Sequence, residues 1–293
     1  MINKIIATQF LFFGIFLRTS ILPKLLKISR HHNLIVSYIE EVTIFCYHLA
    51  IFFDPSLAEA YYKLGRLFQK QGKPQEAIAS FEQAIKSGYL ELADAYCNLG
   101  QVLRRSRKLE ESIISLYKAI ELEPERNWYY RILGNILSDQ GKPNKAIKNF
   151  QIASHKKISE THPHLVNKLK KGHLSVPDFL IIGQPKCGTS SLYSYLTKHP
   201  QILPAIEKEI NFWNKNFNFD KGIDWYLAHF PSIASEQNLI TGEATPNYLD
   251  SPQAAQLIFK NFPYMKFIIL LRNPIDRAIS HYYMEVKKKR IFL

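Results

Sequence analysis

The sequence predicts an α plus α/β protein, in which a helical-repeat α-solenoid precedes an α/β domain with a parallel sheet. Three observations predict this organisation. In the first half, a pattern of small and large residues occurs three times, at intervals of 35 and 34 residues. In the second half, an apolar run leads into a glycine-containing loop and then a helical pattern. A second apolar run there ends at an arginine. A chain of 293 residues is long enough for two domains of ordinary size.

Composition narrows the classes of partner. The chain has 38 basic and 25 acidic residues, a net charge of +13, which favours an anionic ligand, a polyanionic partner or a membrane surface. We see no nucleic-acid-binding motif, so we predict no nucleic-acid partner. The three cysteines, Cys46, Cys97 and Cys187, are far apart in the sequence. This favours a reducing compartment and predicts a cytoplasmic protein.

Residues 1–34 form an N-terminal segment that is apolar and basic. Within it, residues 5–17 are apolar except for Thr8 and Gln9. This run is shorter than the roughly 20 residues of a membrane span, and no clear signal-peptide cleavage site follows it. Two interpretations stay open: a buried helix, or a segment that associates with a membrane or directs targeting.

Residues 35–157 are predicted to be helical repeats, and the repeats are clear over 57–157. Each unit reads as two amphipathic helices joined by a short turn. Small residues allow the two helices to approach closely, and large residues fill the space between them. The recurring positions in the first helices are Tyr61, Leu64 and Gly65, then Tyr96, Leu99 and Gly100, then Tyr130, Leu133 and Gly134; those in the second helices are Ala77, Phe81 and Ala84, then Ser112, Leu116 and Ala119, then Ala146, Phe150 and Ala153.

The turns between the paired helices follow the same repeat. Gly72 and Gly141 occupy the turn, and Pro74 and Pro143 follow where a second helix would begin. Arg107 replaces the glycine in the middle unit, so a different turn is expected there. The period and pattern resemble the tetratricopeptide repeat (TPR) family, whose arrays bind protein partners in a concave groove. The array either binds a protein partner in this way or acts as a scaffold for the next domain.

Residues 158–176 are predicted to be a linker. The stretch is polar and basic, contains Pro163 and Gly172, and lacks clear periodicity except for a short helix predicted around 165–171. Its histidines lack the spacing of metal ligands, so we predict that they are ordinary surface histidines.

The α/β domain is predicted over 177–293. The apolar run from Phe179 to Ile182 is typical of a buried parallel strand. The loop GQPKCGTSS follows it, and a helical pattern then continues through Leu196. A strand, a loop bounded by glycines and a helix N-terminus together form a cradle for an anion. Thr189 stands where a Walker A loop has lysine, which argues against an ordinary ATPase or kinase.

Three further segments accompany the loop. Residues 266–271 read as a second buried strand that ends at Arg272, and Ser280 lies about two turns along the helix that follows. The segments KEINFW, at 208–213, and GEATPNY, at 242–248, lie between the two predicted strands. An arginine at a strand end suits phosphate recognition, because its planar fork is always charged.

Together the four segments resemble the sulfotransferases that use 3'-phosphoadenosine 5'-phosphosulfate (PAPS), in particular the heparan-sulfate-type branch, over about residues 177–286. Ala244 stands where that branch commonly has lysine. The resemblance implies PAPS as the sulfuryl donor and no metal. It also implies that the 5'-phosphosulfate is held by Lys186, Cys187, Gly188, Thr189, Ser190 and Ser191, and the 3'-phosphate by Arg272 and Ser280.

Two catalytic residues are expected. A lysine in the loop can stabilise charge on the leaving nucleotide, and Lys186 is the candidate. By the resemblance, Glu209 is the base that removes the acceptor's proton. The alternative for Glu209 is a surface ion pair with Lys208. The expected acceptor is a hydroxyl or amine of a carbohydrate or peptide.

The resemblance also suggests that the α/β domain is incomplete at its C-terminus, because members of the family usually continue further. We therefore expect exposed apolar edges in this domain. The main alternative to an active sulfotransferase is a TPR interaction scaffold that carries an inactive, truncated transferase domain. A different nucleotide-binding transferase or kinase is a third hypothesis.

Overall fold

The computed structural model describes residues 2–28, 32–169, 172–233 and 238–287. The chain divides into two compact units. Of the described residues, one comprises those up to 124 together with 282–287, and the other comprises those from 125 to 281. The second unit therefore contains the last helical repeat as well as most of the predicted α/β domain.

The first unit begins with apolar helices. These are α1 (Ile2–Phe16), a π-helical segment (Leu17–Ile21), α2 (Leu22–Ile28) and α3 (His32–Phe53). Helices α1 and α3 pack closely where Gly14 faces Tyr47: a Cβ on Gly14 would lie 2.6 Å from the Tyr47 ring. On the outer faces, large apolar side chains such as Phe12, Phe45 and Phe52 are exposed.

Residues Ile2–Leu25 and Leu34–Phe53 are each long and apolar enough to cross a membrane, and only 17% and 33% of their apolar windows are buried. Soluble core helices and signal sequences share this length and composition. The described part of the N-terminal segment is thus helical, and residues 2–25 are mostly exposed.

Three helix pairs follow, at the positions that the repeat pattern predicts. The first two are α4 (Ala58–Gln71) with α5 (Pro74–Lys86), and α6 (Leu92–Arg105) with α7 (Leu109–Leu122), in the first unit. The third, in the second unit, is α8 (Asn127–Asp139) with α9 (Pro143–Thr161). In each pair, the glycine that recurs in the first helix lies against a large side chain of the second helix. These contacts are Gly65 against Phe81, Gly100 against Leu116 and Gly134 against Phe150.

The turns within the pairs correct one expectation. Gly72 and Gly141 both have φ of 73°, the left-handed region that glycine adopts easily. Arg107 was expected to require a different turn, but its φ of 62° lies in the same region. The middle turn thus keeps the geometry of the other two, and Arg107 tolerates a conformation that is uncommon for a residue with a Cβ.

The predicted linker is more ordered than its sequence suggests. Helix α9 continues through Thr161, and a 3-10 helix occupies Pro163–Lys168. Leu165 packs with Ile158, Leu203 and Ile233 in a small apolar cluster. The start of this stretch is therefore part of the second unit's core.

The α/β domain has a four-stranded parallel sheet in the order β2-β3-β1-β4. Strand β1 lies between β3 and β4, and its five residues are buried. Tyr193 and the strand residues Phe179, Ile181 and Ala244 form an apolar cluster beside β1. The elements are β1 (Phe179–Gly183), α10 (Thr189–Leu196), β2 (Ile202–Pro204), α11 (Asn216–Phe219), α12 (Ile223–Leu227), β3 (Ile240–Ala244), a 3-10 helix (Pro246–Tyr248), α13 (Pro252–Asn261), β4 (Lys266–Leu270) and α14 (Pro274–Lys287).

Strand β4 forms one edge of the sheet and carries exposed apolar side chains. Phe267 and Ile269 alternate along it and are 46% and 54% exposed, and Leu271, which follows the strand, is 72% exposed. Ile275 and Ile279 on α14 are exposed too. The apolar edge expected from the sequence is therefore present.

The close contact in the first repeat gives a test of the helix pairing. A Cβ on Gly65 would lie 2.8 Å from the Phe81 ring, closer than van der Waals contact. We expect Gly65→Ala to lower the free energy of unfolding by about 1–3 kcal/mol. The double variant Gly65→Ala, Phe81→Leu should lose less free energy of unfolding than the sum of the losses in the two single variants. The smaller leucine side chain leaves room for the added methyl group.

Chemical denaturation followed by circular dichroism measures both variants. Glu82→Ala, an exposed change on the partner helix, is the control and should shift the free energy by no more than about 0.5 kcal/mol. If Gly65→Ala behaves like this control, the close pairing of α4 and α5 is wrong.

Candidate active site

The loop between β1 and α10 has the backbone of an anion cradle. Lys186 and Gly188 have φ of 75° and 94°, both left-handed, and Gly188 is the N-cap of α10. The N–H of Cys187 donates to the Gln184 carbonyl at 3.1 Å, which closes the turn. The first N–H groups of a helix have no acceptor within that helix, so those of α10 are directed toward the loop. Thr189 is buried there, whereas Ser190 is exposed.

Gly183 sets where this loop begins. A Cβ at this position would collide with the carbonyl oxygen of Leu270 on β4. Glycine therefore allows β1 and β4 to remain paired to the last residue of β1, opposite Leu270. The loop leaves the sheet from this close contact.

Arg272 joins the second predicted phosphate-binding segment to the loop. It follows β4, and its Nη1 donates to the Lys186 carbonyl at 3.2 Å. The Asn273 side chain accepts hydrogen bonds from the N–H groups of Ile275 and Asp276 and so caps α14. Ser280 is half-buried on α14, and no hydrogen bond links it to the loop among the residues that the structure describes. The structure thus brings Arg272 and Lys186 together, while Ser280 lies further along the helix.

Glu209 is held beside the adjacent strand. Its N–H donates to the carbonyl oxygen of Ala244 at 3.2 Å, at the end of β3. Ala244 is paired with Ile181 of β1, so Glu209 lies beside the end of the strand that neighbours the loop-bearing one. Its φ of 63° is left-handed. The carboxylate is 46% exposed and forms an ion pair with Lys208, the alternative weighed from the sequence.

Tyr193 connects α10, the helix after the loop, to β3 and to the segment that begins at Ala205. It lies on α10, and its hydroxyl donates to the Gly242 carbonyl at 3.1 Å. The same hydroxyl accepts from the N–H of Ala205 at 2.9 Å. Because the phenol is buried, its pKa is raised and it stays protonated. The helix that begins at the cradle is thereby fixed to β3 and to the segment that leads to Glu209.

Glu243, for which the sequence patterns predict no role, is the polar centre of this region. Its side chain is fully buried on β3. It accepts hydrogen bonds from the hydroxyls of Tyr226 at 2.8 Å, Thr245 at 2.9 Å and Tyr248 at 3.0 Å. Burial raises the pKa of the Glu243 carboxyl to about 7, while the three hydroxyl donors act in the opposite direction. A charged residue inside a strand pattern was the available signal, because such a residue needs partners.

Two families match this chain. Residues 62–127 match the tetratricopeptide repeat family, and residues 176–291 match the sulfotransferase domain family. Both resemblances inferred from the sequence are therefore confirmed.

No group of three or more His, Cys, Asp or Glu side chains that could hold a metal ion occurs within the described ranges.

Individual proteins show the same likeness. The membrane-associated sulfotransferase kil1 of Dictyostelium discoideum is 38% identical over 133 residues, 45% of this chain and 28% of that protein. The human bifunctional heparan sulfate N-deacetylase/N-sulfotransferase 3 is 38% identical over 112 residues, 36% of this chain and 13% of that protein. The crystal structure of a sulfotransferase from Alicyclobacillus acidocaldarius is 35% identical, with a TM-score of 0.36, over 41% of this chain and 54% of that chain. The chain thus spans 28% of the length of the Dictyostelium discoideum protein and 13% of the length of the human one.

The buried carboxyl of Glu243 predicts a pH dependence of stability. An unfolded glutamate titrates near 4.5, whereas Glu243 titrates near 7 in the folded chain. Between these values the unfolded state loses a proton that the folded state keeps. The contribution of Glu243 to stability is therefore full below about pH 4.5 and is lost as the pH rises through about 7.

Glutamine cannot ionise, so Glu243→Gln removes this dependence. We expect the free energy of unfolding of the unaltered protein, relative to Glu243→Gln, to fall by about 2–3 kcal/mol between about pH 5 and pH 8. Urea denaturation at several pH values measures this difference. Asp220→Asn, at an exposed carboxylate, is the control with which the pH dependence for Glu243→Gln is compared. A constant difference for Glu243→Gln would contradict the raised pKa.

Proposed function

We propose that this chain, which joins tetratricopeptide repeats to a sulfotransferase domain, transfers a sulfuryl group from PAPS to a hydroxyl or amine of a carbohydrate or peptide. The observation that carries the proposal is the hydrogen bond from Arg272 to the Lys186 carbonyl. It joins the cradle after β1 to the arginine after β4, two anion-binding features at the same edge of one parallel sheet. A donor with phosphate groups at both ends of its ribose requires such a pair.

Two groups of residues in this chain are suited to the two ends of this donor. The loop residues Lys186 to Ser191 would hold the 5'-phosphosulfate, through the N–H groups at the start of α10 and the hydroxyls of Thr189 and the serines. Arg272 and Ser280 would hold the 3'-phosphate, because the guanidinium is a permanent, forked donor. The left-handed backbone at Lys186 supports this assignment, since strained backbone at a residue other than glycine is often found at binding sites.

The bound donor supplies the sulfuryl group, and the protein supplies charge and orientation. In the transfer, the bond from sulfur to the bridging oxygen of the donor breaks, and a bond from sulfur to the acceptor's oxygen or nitrogen forms. Negative charge grows on the oxygen that leaves. The ammonium of Lys186, together with the N–H groups of the cradle, would stabilise that charge.

Glu209 is the proposed base. The acceptor's hydroxyl or amine must lose a proton as its bond to sulfur forms, and the Glu209 carboxylate would take that proton. Its exposure and its place beside the end of β3 support this role. The ion pair with Lys208 holds the carboxylate beside the end of β3. One of the similar proteins is named as an N-sulfotransferase of heparan sulfate, and this favours a carbohydrate acceptor.

The repeats are proposed to bind a protein partner. The first unit has a cavity of about 550 Å³ whose lining includes Arg18, Lys63, Arg66, Lys70 and Arg105. Two of these cations are paired with acids, Lys63 with Glu59 and Lys70 with Glu40. A groove of this charge favours an acidic segment of a partner. It also supports the second candidate function, a TPR interaction scaffold whose transferase domain is inactive.

We also propose that the protein is cytoplasmic and contacts a membrane. The structure contains no disulfide among the cysteines, all three of which are free thiols, and this is consistent with the cytoplasm. Contact with a membrane through the apolar helices α1 and α3 is supported by their exposed aromatic side chains. A similar protein is named as membrane-associated.

Lys186→Ala tests the donor site. We expect it to lower the transfer rate by a factor of about 100 or more, because a positioned charge at the leaving oxygen is lost. The fold should survive, since alanine meets the same backbone constraint as lysine at this φ. Transfer of labelled sulfate from PAPS to a panel of glycans and peptides is the measurement, with circular dichroism to check folding.

Lys198→Ala, an exposed lysine just beyond α10, is the control and should retain activity. Unchanged turnover in Lys186→Ala would remove the mechanism. If the unaltered protein binds 3'-phosphoadenosine 5'-phosphate but transfers sulfate to no acceptor, the scaffold function is favoured instead.

Glu209→Gln tests the base. Transfer should fall by a factor of about 100 to 10,000, as expected for loss of a general base. The affinity for 3'-phosphoadenosine 5'-phosphate, measured by calorimetry, should not change. Lys208→Gln breaks the same ion pair but keeps the carboxylate, so it should retain much more activity than Glu209→Gln. Equal losses in the two variants, or weaker nucleotide binding in Glu209→Gln, would refute the base assignment.

A further inference from the structure

The last helical repeat contacts the segment that carries Glu209, here called the base segment (205–213). Arg131 on α8 forms an ion pair with Glu207, with Nη1 2.6 Å from Oε2. Lys157 on α9 donates to the carbonyl oxygens of Ala205 at 2.6 Å and Ile206 at 3.4 Å. Both cations therefore hold the base segment within four residues of Glu209.

These polar contacts are shielded from water. The side chains of Arg131 and Glu207 are only 30% and 25% exposed. Burial, with Arg131 nearby, lowers the pKa of Lys157 to about 8. A pair with this little exposure is screened less by salt than a surface pair, and removing one partner leaves the other poorly solvated.

Aromatic packing joins the same two parts. The Phe150 ring of α9 meets Trp225 edge to face at 5.6 Å and lies 4.3 Å from His229. The indole N–H of Trp225 donates to the Ser138 hydroxyl of α8 at 2.7 Å. Trp225 and His229 are both buried, so this contact is part of the core of the second unit.

Trp225 and His229 in turn hold both ends of the base segment. The His229 carbonyl accepts from the N–H of Ile206 at 2.8 Å. The Trp225 ring is nearly parallel to that of Phe212, with centroids 6.1 Å apart. The repeat therefore reaches the segment by two routes: directly through Arg131 and Lys157, and through the aromatic side chains that Phe150 contacts.

The backbone of the base segment requires such support. Glu209 and Asn211 have φ of 63° and 54°, left-handed values that cost energy for residues other than glycine. Strained backbone persists only where the surrounding structure determines it. The contacts at 205–207 and at Phe212 enclose these two residues from both sides.

We propose that the third helical repeat positions the catalytic base, with Arg131 and Lys157 as the positioning residues. This rests on the proposed function of Glu209 as base. The repeat then has a role in transfer that differs from partner binding: it fixes the conformation in which the Glu209 carboxylate can meet the acceptor.

The test uses the full chain and the variant Arg131→Ala. We expect amide hydrogen exchange in the base segment to become roughly fivefold faster, with β1 and α10 unchanged. We expect kcat to fall about ten- to a hundredfold, because a small displacement of a base is costly. The affinity for 3'-phosphoadenosine 5'-phosphate should stay the same. Lys145→Ala, at an exposed lysine of α9, is the matched control and should change none of the three.

A charge swap separates positioning from general destabilisation. Arg131→Glu combined with Glu207→Arg keeps an ion pair at the same place, so it should recover most of the slow exchange and of kcat, while either single change should not. Unchanged exchange in Arg131→Ala, or faster exchange with unchanged kcat, would overturn the proposal. If the unaltered protein transfers sulfate to no acceptor, the proposed function fails; faster exchange in Arg131→Ala would still establish the contact.

Discussion

Parallel pairing of β1 with both β3 and β4 is the constraint on which the candidate site depends. It places the carboxyl ends of three strands at one edge of the sheet, where the cradle, Glu209 and Arg272 all lie. Two glycines permit the pairing: a Cβ on Gly183 would collide with β4, and one on Gly242 would lie 2.5 Å from the carbonyl oxygen of Phe179. A side chain at either position would separate strands that hydrogen bonding holds close. The geometry of the sheet therefore determines which motifs meet.

A buried polar network extends this constraint to the base segment. Glu243 is on β3, and Tyr248 donates to its carboxyl while accepting from the N–H of Phe212 at 3.0 Å. A carboxyl without solvent is costly unless its oxygens have partners, and here three hydroxyls supply them. The network thus couples the protonation of one strand residue to the packing of the segment that carries Glu209.

Local patterns explain what the sequence could predict. The repeats, the strand–loop–helix unit and the strand before Arg272 depend on residues that are close in the chain, so periodicity and loop composition were enough. Arg107 shows where local patterns fail. The surrounding structure holds this residue, which has a Cβ, in a turn conformation that favours glycine. The partners of Glu243 and of Lys157 could not be predicted, since Tyr226 and Ala205 lie 17 and 48 residues away from them. Periodicity carries no information on contacts at such separations.

Phe150 shows why a repeat and the α/β domain can share one core. Within the repeat, its ring packs against Gly134. The repeat pattern predicts a large residue with this role in the second helix of each unit. Its ring also packs against Trp225 and His229 of the α/β domain. A ring buried on both sides gains apolar contact twice, whereas a smaller residue would leave a cavity in the repeat and another beside Trp225. The residue that identifies the repeat is therefore also one of those that attach it to the domain, within the unit formed by residues 125–281.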